Sequence, residues 1–68
     1  MTQNEILPNV HATQGGGYVT YSESAGCYLF VEPPNWGDYR VGSQMPLDWG
    51  LAGPVNDQEL REKAKDFQ

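Results

Sequence analysis

The chain has 68 residues, 38% of them apolar, and carries four Lys or Arg against nine Asp or Glu, a formal charge of -5. That length excludes αβ barrels, doubly wound nucleotide-binding sheets and two-domain enzymes, all of which need far more chain. The single cysteine, Cys27, excludes an intrachain disulfide and fits a reducing interior, so a cytoplasmic single small domain, 1–68, is expected, stabilised by a compact core or by a partner.

The first segment, Met1 to Gln14, is polar apart from Ile6, Leu7 and Val10, and Pro8 interrupts it. An extended edge strand, a short turn and a frayed arm are all open for 1–16. Gly15, Gly16 and Gly17 then break the chain, because residues without Cβ cost too much backbone entropy inside a helix. They read as a flexible turn, with ordered structure starting just after it. No basic stretch precedes an apolar run at the start, and no segment approaches the roughly 20 apolar residues of a membrane-spanning helix.

From Tyr18 to Glu32 two β-branched or aromatic runs flank the patch Glu23-Ser24-Ala25-Gly26, the pattern of a β-hairpin. In the second run Cys27, Leu29 and Val31 share one face, while Tyr28, Phe30 and Glu32 share the other. Both faces are largely apolar, so the strand is expected to be central in the sheet, or to have one face on the core and the other under a helix or a partner. Pro33-Pro34-Asn35-Trp36-Gly37 ends the strand. The short alternating run Asp38-Tyr39-Arg40-Val41 predicts a third antiparallel strand, closing the sheet region 18–41. The next segment, 42–55, mixes Pro and Gly with Leu47, Trp49 and Leu51. It reads as an apolar loop that plugs the core or forms a docking surface.

The region 56–68 predicts a helix. Asn56 followed three residues later by Glu59 is a reciprocal capping arrangement, Val55 and Leu60 fit the hydrophobic staple, and the charges match the macrodipole. Leu60, Ala64 and Phe67 recur at i, i+4 and i+7 as a narrow apolar stripe that must dock on the sheet. The expected fold is therefore α+β: a small antiparallel sheet of about three strands, with room for an N-terminal edge strand, and one C-terminal helix packed on it. Core candidates are Val19, Leu29, Val31, Val41, Leu60, Ala64 and Phe67.

No constellation for catalysis emerges. Cys27 and His11 are the one thiol and imidazole, and they are read as an inert buried thiol and an exposed ring rather than a nucleophile and base. Structural zinc needs four Cys or His ligands, calcium needs closely spaced oxygen ligands, and the glycine run lacks the phosphate-loop ending, so no metal or cofactor is expected. Carboxylates such as Glu32, Asp38 and Asp48 read as solvated turn charges. Through residue 60 Arg40 alone stands against seven acids, a charge of -6, which opposes direct binding to nucleic acid.

Recognition of another macromolecule remains. An acidic body steers toward positive clefts, and Trp and Tyr dominate interface hot spots, although in so small a domain each aromatic is also a core candidate. The reading is a non-enzymatic protein that docks on a basic surface of a larger, nucleic-acid-handling protein and inhibits it, with Glu23, Glu32, Trp36, Asp38, Tyr39, Asp48 and Trp49 as the contact surface and a monomer favoured. In general type it is similar to small acidic inhibitors carried by phages and mobile elements, anti-CRISPR proteins among them; this likeness is one of class and transfers no residues. The alternatives are a self-assembling structural or accessory protein, pairing through a strand edge or the Leu47–Leu51 loop, and a carbohydrate-binding module with Trp36 and Trp49 as platforms.

Overall fold

The computed structural model describes residues 7–68; the expected arm over 1–6 lies outside them. Four strands, β1 (Val10–Thr13), β2 (Tyr18–Ser22), β3 (Cys27–Glu32) and β4 (Leu51–Val55), form one antiparallel sheet in the order β3-β2-β1-β4. Helix α1 (Gln58–Ala64) follows, and a 3-10 turn, Lys65–Phe67, continues it. The fold is the small α+β sheet-and-helix arrangement that the sequence predicts, with four strands in place of about three.

The β2–β3 hairpin forms where the alternating runs place it, with Ser22 opposite Cys27 and Val19 opposite Phe30. Ser22 closes its turn, since its carbonyl accepts from Gly26 N–H and its hydroxyl from Ala25 N–H. This local satisfaction explains how a serine is buried at a strand end.

Order does not begin after the glycines. The N-terminal strand β1 precedes them and lies inside the sheet, paired with β2 on one side and β4 on the other. Gln14 to Gly17 form the tight connection between β1 and β2: Thr13 N–H donates to the Gly17 carbonyl, Gly16 N–H to the Thr13 carbonyl, and the Thr13 hydroxyl to the Gly16 carbonyl. Gly17 has φ +79°, and a Cβ there would meet the Glu32 carbonyl oxygen at 2.7 Å and the Pro34 nitrogen at 2.8 Å. The turn is thus packed against the end of β3 by backbone that cannot retreat, which demands glycine and is the opposite of a flexible link.

The predicted third strand over Asp38–Val41 is absent; those residues form turn and irregular structure. The outer edge of β3 is filled instead by the following segment. Phe30 N–H donates to the Ser43 carbonyl, Met45 N–H to the Tyr28 carbonyl and Gly42 N–H to the Phe30 carbonyl, with Leu29 bridged to Gln44. With those groups satisfied, the 38–41 run has no ladder to join, and Val41 is exposed rather than a core residue.

The expected apolar loop over 42–55 also needs correction, because its last five residues are the edge strand β4, held by register against β1 with Val10 opposite Val55 and His11 opposite Pro54. A strand containing Gly53 and Pro54 is tolerated at a sheet edge, where the missing N–H faces out of the ladder.

Helix α1 is capped by Asp57 and not by Asn56. An Asp57 carboxylate oxygen accepts from the N–H of Glu59 at 2.9 Å and of Leu60 at 3.3 Å. Asn56 lies one residue outside the helix and accepts from Arg61, whose guanidinium also donates to the Leu7 and Pro8 carbonyls. The C-terminal end is fastened through Gln68, which donates to the Thr20 hydroxyl and the Ala64 carbonyl, while Thr20 donates to the Asn9 carbonyl.

Two apolar clusters lie on opposite sides of the sheet. Val10, Val31, Leu60 and Ala64, with Tyr18, Val55 and Phe67 against them, form the helix side. Val19, Phe30 and Met45, with Tyr28, Tyr39 and Trp49, form the other. Of the predicted core, Val19, Val31, Leu60 and Ala64 are buried, while Leu29 and Phe67 are half-buried.

Candidate functional site

The alternation in β3 decides what the second side of the sheet carries. Val31 points to the helix, so Tyr28 and Phe30 point away from it, and Phe30 is completely buried. Full burial of a phenylalanine is worth about 1.5–3 kcal/mol, and here the cover comes from the long 33–50 connection rather than from a helix. Tyr39 and Trp49 pack their rings on Phe30 at centroid distances of 5.4 and 5.9 Å.

Trp36 extends this cluster outward. Its ring lies 5.5 Å from both Tyr39 and Trp49, and Tyr39 lies 5.1 Å from Trp49. The indole N–H of Trp36 donates to the Gly15 carbonyl at 2.8 Å, and a Cβ on Gly15 would meet the Trp49 ring at 2.6 Å. The β1–β2 turn therefore acts as a seat: one glycine accepts from one tryptophan and lies flat against the other. Trp36 nevertheless stays 52% exposed. An indole fixed by a hydrogen bond and two aromatic neighbours, with half its surface in solvent, loses little entropy on meeting a partner.

Of the predicted contact residues, Trp36, Tyr39 and Trp49 come together in this cluster. Asp38 and Asp48 are exposed and adjacent in sequence to Tyr39 and Trp49. Glu32 is exposed at the end of β3 and lines, with Gly17, Tyr18, Pro33, Pro34 and Trp36, an open groove of about 520 Å³. Glu23 is not part of this grouping. It sits in the β2–β3 turn, at the opposite end of the hairpin from Glu32 and the β1–β2 turn. Sequence reasoning missed Gly15 as an acceptor, Phe30 as the buried ring beneath Tyr39 and Trp49, and Tyr18 as a wall of the open groove; the one available signal was the glycine run itself, too dense for a simple turn.

Cys27 and His11 are not neighbours in the sheet: Cys27 pairs with Ser22 on β3, and His11 with Val19 on β1, with β2 between them. His11 is packed edge-on against Tyr28, with ring centroids 6.3 Å apart, and its Nδ1 is buried without a hydrogen-bond partner among the described residues. Among the described residues no helix is long and apolar enough to cross a membrane. No protein family matches the chain, and no curated protein or solved structure is detectably similar to it.

Proposed function

We propose that the protein is a non-enzymatic docking protein that seats its aromatic, acidic side on a basic surface of a larger, nucleic-acid-handling partner and obstructs that surface. One observation carries this reading: Trp36 is held rigidly yet half-exposed, between the carboxylates of Glu32 and Asp38 in sequence, on a chain of formal charge -5. Rigid aromatic anchors supply affinity, and surrounding acids supply steering toward a positive partner and rejection of a negative one. The acidity also explains why the partner's surface rather than its nucleic acid is the target, since phosphates would be repelled.

The experiment is affinity capture from host extract with mass-spectrometric identification, at low and raised salt, using the wild-type chain and a Glu32→Lys/Asp38→Lys variant. A charge-steered complex loses its partner in the variant and releases it as salt rises. Capture indifferent to both changes contradicts the proposal. Self-assembly through the open β4 edge is the weaker reading, because Pro54 leaves that edge one donor short.

A further inference from the structure

A second apolar surface adjoins the Trp36 cluster and shares one of its rings. Trp49 presents one part to Trp36 and Tyr39, and it also lines a groove of about 360 Å³ together with Tyr21, Tyr28, Met45, Leu47 and Leu51. Met45 is the buried floor, and Tyr21 stands edge-on to Tyr28 at 5.2 Å as one wall. Leu47 is 88% exposed, Tyr21 46% and Leu51 36%, so three large apolar side chains edge the same depression. Single exposed apolar residues are ordinary; several around one groove are the mark of an interaction site.

Charge selects the occupant. Among the described residues no Lys or Arg lines the groove. Exposed Asp48 lies in the chain between two lining residues, Leu47 and Trp49, and exposed Glu23 lies just beyond the Tyr21–Tyr28 wall, lining the neighbouring depression with those same two rings. A second copy of the chain would bring a body of charge -5 against its like and set the same carboxylates near one another, which opposes self-association here. We infer that the groove receives a bulky apolar side chain of the partner, aromatic or Leu-like, carried on a segment with Lys or Arg on either side of it. The apolar group fills the space above Met45 while its basic neighbours reach Asp48 and Glu23. This rests on the docking reading above and adds to it the kind of partner segment the surface selects.

The test is a titration of the isotope-labelled full chain, followed by backbone amide NMR, with three pentapeptides: Lys-Lys-Phe-Lys-Lys, Lys-Lys-Ala-Lys-Lys and Glu-Glu-Phe-Glu-Glu, each capped at both ends. The first should give saturable shifts concentrated at Tyr28, Met45, Leu47 and Trp49. Replacing its Phe by Ala should weaken binding about tenfold or more, and the acidic peptide should bind at least about fivefold more weakly at low salt. Leu47→Ser, a change at a side chain with almost no folded contacts to lose, should weaken the Phe peptide while leaving the spectrum folded. The inference is overturned by equal binding of the Phe and Ala peptides, by equal binding of the acidic peptide, by shifts elsewhere only, or by none at all. Groove shifts that depend on protein concentration without peptide also overturn it, in favour of a second copy. A failed titration with charge-sensitive capture intact removes the groove alone; capture that ignores charge reversal and salt removes the docking reading itself.

Discussion

On the helix side of the sheet, aliphatic residues from three elements, Val10, Val31, Leu60 and Ala64, close over one another, while Arg61 ties the helix to the Leu7 and Pro8 carbonyls and Gln68 ties the chain end to the Thr20 hydroxyl. On the other side the cover is a connection without regular structure, and rings of Phe30, Tyr39, Trp49 and Trp36 step outward from full burial to half exposure. The first arrangement ends in a capped helix with an exposed polar face. The second ends in apolar surface with acids around it. A sheet this small needs both faces covered, and the two covers differ in how they end: the helix turns a polar face to solvent, whereas the connection leaves Trp36 half-exposed at its rim.

The comparison is tested most severely at the buried ring that supports the aromatic side. Phe30→Ala should cost about 3–5 kcal/mol in urea unfolding, comparable to the whole stability of a small domain, and should release Tyr39 and Trp49 together. A loss below about 1 kcal/mol would mean the aromatic layer is decoration and the helix side alone holds the sheet.

The glycine seat gives a finer contrast. Gly17→Ala forces a Cβ onto the Glu32 and Pro34 backbone at positive φ, whereas Gly26→Ala, also at positive φ, meets nothing within 4 Å. The first should destabilise by about 1–3 kcal/mol and the second by about 1 kcal/mol, measured side by side by thermal unfolding. Equal costs would show that the turn is not packed as described. On the helix side, Asp57→Ala should cost about 1 kcal/mol, and Asn56→Ala a few tenths, because only Asp57 accepts from the first-turn amides. The reverse order would return the cap to Asn56.

Much of this architecture is legible in the chain for local reasons. The β2–β3 hairpin follows from two runs rich in Tyr, Val and Thr around a turn patch, and the helix from its cap and stripe, each decided by neighbours in sequence. What escapes is decided at long range. Strand β4, Leu-Ala-Gly-Pro-Val, has the composition of a loop and becomes a strand because β1 offers it an edge. Asp38–Val41 has the composition of a strand and does not become one, because Ser43 to Met45 occupy the edge of β3 beside it. The same holds for the site. Trp36, Tyr39 and Trp49 are recognisable by residue type, but their convergence depends on Gly15, and Glu23 is parted from them by the length of the hairpin. Tyr21 and Leu51 gain meaning only when β2 and β4 bring them to the groove that Leu47 edges.

On the docking proposal, Trp36 is an anchor for a partner rather than a support for the fold. Trp36→Ala should be measured twice: by unfolding, and by calorimetric titration with the partner recovered in the capture experiment. Stability should fall by about 1 kcal/mol, from one solvent-accessible hydrogen bond and partial ring contact, with affinity reduced about tenfold or more. A folded variant that binds with unchanged affinity would contradict that role.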